Sequence, residues 1–171
     1  MKQFNLNKDE NILSSKKGSK QYIVIQFISA IAAAALAIVL MCETPSDNLL
    51  LSNVSSNVGK IFVAIGEAIA ITLFCFFLNE VIKTATTRVI LTDQRFVYMQ
   101  SGINAKNVKI PVDQIKYLYY QKNNIFDDNS GEITVIKKND LIEELPNVEN
   151  AFDIENNFTQ HIVNKALNKN E

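Results

Sequence analysis

Cysteine occurs twice, histidine once, glycine five times and proline three times among 171 residues. Two cysteines build no disulfide framework, and with one histidine they do not supply the ligands of a structural zinc site. So little glycine and proline excludes collagen-like and low-complexity classes. The formal net charge of −1 leaves no broad basic face for a nucleic-acid backbone. Catalytic signatures are missing too: there is no GxSxG, Walker-type loop, GxGxxG or HExxH. His161 stands alone, without a nucleophile in motif context. The run Asp127, Asp128, Asn129, Ser130 lacks the alternating spacing and closing glutamate of a calcium loop. The chain therefore reads as non-enzymatic, with no cofactor and no metal site expected.

What the sequence does have is two dense apolar blocks in its first half. The first, Tyr22 to Cys42, carries no formal charge and only Gln26 and Ser29 as clearly polar residues. At 1.5 Å per residue it crosses a hydrocarbon core of about 30 Å. The second, Ile61 to Leu78, carries one charge, Glu67, and is extended by Val58, Gly59, Val81 and Ile82. A soluble core helix would show a polar face, which the first block lacks. A cleaved signal peptide has a shorter apolar region. Lipoprotein processing at Cys42 would want a small residue before it, where Met41 stands.

Lysine and arginine counts set the expected orientation. Residues 1–20 hold Lys2, Lys8, Lys16, Lys17 and Lys20; the connector 43–60 holds only Lys60; Lys83 and Arg88 follow the second block. The expected layout is a cytoplasmic segment 1–20, a two-span hairpin 21–83 with an extracytoplasmic connector 43–60, and a cytoplasmic domain 84–168. Lys16, Lys17, Lys20, Lys83 and Arg88 are expected to touch lipid head groups. Small residues let helices approach closely in lipid. Ser29, Ala33 and Ala37 share one face of the first span; Ala64 with Ala68, and Gly66 with Ala70, do so in the second. Glu67 is costly at membrane depth. It reads either as an ion-coupling site or as a group bonded to Gln26, Ser29 or a neighbouring copy.

After residue 83 the pattern becomes β. Strands are expected at Thr84–Leu91, Arg95–Gln100, Asn107–Pro111, Ile115–Gln121, Glu132–Lys137 and Leu141–Leu145, separated by turn residues. Ile115, Tyr117 and Tyr119 are expected on one face. Pro146 and Asn147 should stop the last strand, with Asn147 as N-cap of a helix near 148–167. Ala151, Ile154, Phe158, Ile162 and Ala166 form its apolar stripe. The fold class is a membrane α-hairpin followed by a small β-sandwich or partly open barrel of about six to seven strands, capped by one C-terminal helix.

The segments LTDQRFVYMQSG (91–102), NVKIPVDQIKYL (107–118), GEITV (131–135) and LPNVENAFDI (145–154) resemble the bacterial pleckstrin-homology (PH-like) domain family of the YdbS-like membrane type. The carrying residues are Thr92, Asp93, Arg95, Ser101, Gly102, Ile110, Pro111, Ile115, Gly131 and Val148. Two preceding spans match that family's layout. The loop NNIFDDNSG (123–131) departs from it, being acidic where the family is basic. The resemblance implies a PH-like barrel in the bacterial inner membrane, a role in assembly, and no catalytic residues. A phosphoinositide site is not expected, because the first hairpin turn offers only Arg95, next to Asp93.

The leading functional expectation is a membrane-anchored interaction or scaffold protein. Its domain would bind a protein partner or its own copies, with Tyr117, Tyr119 and Tyr120 as candidate surface. The alternatives are an oligomeric channel or transport subunit using Glu67, and a small immunity protein against a membrane-active toxin.

Overall fold

A computed structural model describes residues 6–42, 56–122 and 130–168. Its elements run β1 (Ile12–Lys17), α1 (Lys20–Cys42), α2 (Ser56–Thr86), β2 (Arg88–Thr92), β3 (Arg95–Met99), β4 (Asn107–Pro111), a 3-10 turn (Val112–Gln114), β5 (Ile115–Lys122), β6 (Gly131–Lys137), β7 (Ile142–Val148) and α3 (Ala151–Leu167). The expected connector lies outside the described residues up to residue 55, as does the loop 123–129. The chain divides into two units. One comprises residues 24–81; the other joins residues 1–23 to residues 82–171.

In the first unit α1 and α2 are both long and apolar enough to cross a membrane. Their outward residues are apolar: Ile28, Ile38 and Phe62 are each about 60% exposed. A soluble protein rarely displays so continuous an apolar surface.

The second unit holds two antiparallel sheets, ordered β1-β2-β3-β4 and β5-β6-β7. Alternation along the strands drives the packing: Val89, Leu91, Phe96 and Tyr98 from one sheet meet Ile133, Val135 and Leu145 from the other, all fully buried. Ala151, Ile154 and Phe158 of α3 complete that core. The expected stripe stops there, since Ile162 and Ala166 are exposed.

Five sequence expectations are corrected. The expected separate segment 1–20 is joined to the domain over Ile12–Lys17: β1 pairs with β2, Ser15 opposite Ile90 and Lys17 opposite Arg88. The expected first domain strand at Thr84 begins only at Arg88, because α2 continues to Thr86. Pro146 and Asn147 do not end β7, which runs to Val148. On an edge strand proline's missing N–H costs no ladder bond, and Asn147 takes a left-handed φ of 64°. The N-cap position is Asn150, not Asn147, and its side chain makes no capping bond. Finally, Ile115 is buried while Tyr117 and Tyr119 are exposed. A register shift between Ile115 and Tyr117 reverses the alternation.

β1 links the two sheets. Beyond its ladder with β2, Gly18 bridges Val148, with Ser19 N–H donating to Asn147 O at 2.8 Å and Glu149 N–H donating to Lys17 O at 2.9 Å. Gly18 is obligatory, because a Cβ there would stand 1.9 Å from the Thr84 carbonyl oxygen. Ser19 then caps α1, its hydroxyl accepting from Tyr22 N–H at 3.3 Å.

Upstream, Glu10 and Arg95 lock the strand in place. Arg95 donates through Nε to Glu10 Oε1 at 2.8 Å and through a terminal nitrogen to Oε2 at 2.7 Å, a two-point fork. Thr92 hydroxyl donates to Glu10 Oε1 at 2.7 Å, and Asn7 N–H to Oε2 at 2.7 Å. Asp93 accepts from Asn11 N–H at 3.0 Å. The Arg95 bond holds the buried Glu10 carboxyl at about 2, against an ordinary value of 4.5.

That depression has a definite sign. The lock contributes its full stabilisation above pH 4.5 and loses it as pH falls toward 2. Acid unfolding followed by circular dichroism should show this loss in the parent chain, and Glu10→Gln should flatten it. At neutral pH, Glu10→Ala should cost roughly 3–5 kcal/mol, because the buried fork between Glu10 and Arg95 is lost.

Candidate interaction surface and intramembrane polar residues

The tyrosine run of β5 is split by the pleat. Tyr117 and Tyr119 point outward, 60% and 41% exposed. Tyr120 turns the other way, its ring 6.2 Å edge-on from Phe152. Its backbone N–H donates to Glu155 of α3 at 3.2 Å, so helix and strand are tied at this point. Close by, a Cβ on Gly131 would meet Gln121 O at 2.2 Å, which explains glycine opposite Lys122.

Across the outer face of the second sheet, Tyr117 stands opposite Ile136, and Ile136 opposite Ile142. Tyr119, Thr134 and Glu144 form the next row. Leu141 and Ile142 are each more than half exposed. Lys116 lies over the Tyr117 ring at 5.9 Å and pairs with Asp140 at 2.8 Å. An apolar strip with a charged rim is thus displayed, and α3 packs on the sheets' inner side and not over this face.

The resemblance motif has a structural job. Thr92, Asp93 and Arg95 are the N-terminal lock, Gly102 supplies a φ of 126°, and Pro111 ends an edge strand already blunted by exposed Lys109. Reading residues 1–20 as a basic flank concealed Glu10. A buried-pair signal was present in Glu10 and Arg95 but lay across two apolar blocks.

Of the expected head-group cations, Lys16 pairs with Asp153, and Lys20 lies 3.7 Å from Glu149. Lys17 is exposed, Lys83 is half-buried, and Arg88 donates to the Thr87 carbonyl at 3.1 Å.

In the helical unit the buried positions are Ala30, Ala33, Ala37 and Ala70. Gly66 faces Leu40, where a Cβ would lie 3.2 Å from the leucine side chain. The expected Gly66/Ala70 pair therefore belongs to the seam between α1 and α2, whereas Ala64 and Ala68 are exposed. Ser29 is half-buried and donates to Ile25 O at 3.0 Å within its own helix. Gln26 is half-buried with an unpartnered buried oxygen. Because Leu40 sits beside Gly66 and α1 rises 1.5 Å per residue, Gln26 lies about 21 Å away along the helix. Glu67 thus reaches neither Gln26 nor Ser29. It is half-buried.

A groove of about 490 Å³ is lined by Asp93, His161, Asn164, Lys165 and Asn168. Among the described residues, no serine or cysteine lines it. Among the described residues no group of three or more His, Cys, Asp or Glu side chains is placed to hold a metal.

No family model, curated protein or solved structure matches this chain.

The geometry separates surface from core. Tyr117→Ala should change domain stability by less than about 0.5 kcal/mol, and Tyr120→Ala should lower it by roughly 1–3 kcal/mol, in urea unfolding. In the hairpin, Ala70→Leu should weaken the α1–α2 contact, read as faster cleavage by protease in nanodiscs, while Ala68→Leu should leave cleavage unchanged.

Proposed function

We propose that this chain is a non-enzymatic, membrane-anchored interaction module. It presents a PH-like domain at the cytoplasmic face of a bacterial inner membrane and binds a protein partner, which includes further copies of itself. The observation that carries the reading is the strip Tyr117, Tyr119, Ile136 and Ile142 on the outer face of the three-stranded sheet. Aromatic and aliphatic side chains inside a charged rim are the composition of a protein-binding patch.

The anchoring half of the proposal is supported by the strand order. β1 precedes both apolar helices and β2 follows them, yet the two are hydrogen-bonded. Both flanks of the hairpin must then lie on one side of any membrane it crosses. The lysines before the first helix, together with Lys83 and Arg88, favour the cytoplasmic side. The four-plus-three sheet arrangement with a C-terminal helix supports the PH-like assignment.

A second reading, a channel or transport subunit, is favoured by one feature: Glu67 lies within an apolar helix and out of reach of Gln26 and Ser29.

Native mass spectrometry of the gently extracted protein tests the first reading. The parent chain should carry a stoichiometric partner or a defined number of copies, and Tyr117→Glu combined with Ile142→Glu should remove them while the domain stays folded. An association unchanged by those substitutions contradicts the proposed surface. Ion flux in liposomes that is lost on Glu67→Gln would establish the second reading instead.

A further inference from the structure

Strand pairing puts one loop at the end of the four-stranded sheet from which the chain enters its apolar helices. β1 ends at Lys17 opposite Arg88, where β2 begins, and Arg88 stands opposite Met99, where β3 ends. Met99 in turn pairs with Asn107, the first residue of β4. The β3–β4 loop, residues 100–106, therefore lies at the same end as Ser19 and Lys20, which start α1, and Thr86, which ends α2. All of these residues belong to the unit of residues 1–23 and 82–171.

The loop is held against the end of α2. Ser101 N–H donates to Thr86 Oγ at 2.9 Å, and Gln100 Nε2 donates to Thr87 Oγ at 3.1 Å. The Gln100 side-chain oxygen accepts from Lys106 N–H at 3.3 Å, closing the loop across its base. At the tip stands Ile103, 72% exposed, the most exposed large apolar side chain among the described residues. Left-handed residues flank it, Gly102 with φ 126° and Asn104 with φ 56°. The first conformation calls for glycine, and asparagine tolerates the second. The loop thus carries the two residues that hold an isoleucine outward.

Its surroundings match a lipid surface. Residues 100–106 include no acid. Lys17 is exposed and Arg88 half-buried at this end of the sheet, and the Lys20 side chain is 80% exposed. Lys106 is engaged by Glu143 at 2.9 Å and does not join these cations. Tyr22 follows on α1, at a position that suits an interfacial tyrosine. Ile82 of α2, 50% exposed, lies one helical turn, about 6 Å, before Thr86. Ile103 is two residues from the tether at Ser101, a reach of at most about 7 Å. Cations around isolated apolar side chains suit the head-group–acyl boundary. One isoleucine among polar residues is too little apolar surface for a protein interface.

We propose that the β3–β4 loop is a membrane-insertion loop. Ile103 enters the head-group–acyl boundary of the bilayer beside α2, with Lys17, Lys20 and Arg88 over anionic head groups. The inference rests on the membrane-anchored reading. It gives the domain an attachment to lipid besides its two helices and sets which end of the four-stranded sheet faces the bilayer.

Fluorescence quenching on the full chain in nanodiscs containing anionic lipid tests this. With Cys42 and Cys75 replaced by serine, an environment-sensitive fluorophore is placed on Ile103→Cys. Leu141→Cys is the control: Leu141 is 56% exposed but lies seven residues from Val148, about 23 Å along β7 from the bridge to Gly18. A third chain carries only Cys42→Ser, and its labelled Cys75 reports whether α2 is in lipid. A nitroxide on lipid at the head-group–acyl boundary should quench the Ile103 label by about twofold or more and leave the Leu141 label unchanged. Iodide in solution should do the reverse. An Ile103 label reached by iodide and not by lipid, while a deep acyl-chain nitroxide quenches Cys75, overturns the insertion loop and leaves the anchoring intact. A Cys75 label that escapes the acyl-chain nitroxide overturns the anchoring and the loop with it. An Ile103 label shielded from both quenchers is covered by protein, which also overturns the proposal.

Discussion

The bridging of the two sheets by β1 is the constraint on which the rest of the structure depends. Without that strand, β2 would be a bare edge and the β7 end would lose its bridge at Val148. The strand is short, and four of its six positions are polar, so its own burial does not explain its place. What fixes it is the Glu10–Arg95 fork. A fully buried carboxylate is expensive unless every oxygen is satisfied. Here both oxygens receive two donors each, from Arg95, Thr92 and Asn7.

This bridging spans an unusual sequence distance. The strand stands before two apolar helices and its partner stands after them, so the domain is complete only once both helices are in place. The constraint extends to single residues. Gly18 leaves room for the Thr84 carbonyl, Ser19 caps α1, and Thr86 joins the end of α2 to Ser101. The outer face of β5-β6-β7 displays Tyr117, Tyr119 and Ile142.

Much of this was legible in the residues. The two apolar helices, the β2–β3 hairpin and β4 follow from run length and alternation, because local pattern dictates them. The misreadings share a cause: each depended on a non-local partner. ILSSKK reads as a basic flank until the chain after the second helix is seen to need it. Pro146 reads as a strand terminator until β7 is known to be an edge. The bulge after Ile115 reversed the faces of Tyr117 and Tyr119, and no periodicity argument detects one inserted residue. In the helices, small-residue spacing offered two candidate seams, and only the placement of Leu40 against Gly66 chose between them. Within the tyrosine run, only pairing with Ile136 and Ile142 showed which members share a surface.

A register-specific cysteine pair probes the bridging most directly. With Cys42 and Cys75 replaced by serine, Ser15→Cys and Ile90→Cys occupy directly paired positions of β1 and β2. In intact membranes the account predicts that these two form an intramolecular disulfide under mild oxidation, visible as a mobility shift reversed by reductant, and that Ser15→Cys paired with Thr134→Cys does not. Failure of the Ser15–Ile90 pair to form in folded, membrane-inserted protein would contradict the claim that β1 bridges the sheets.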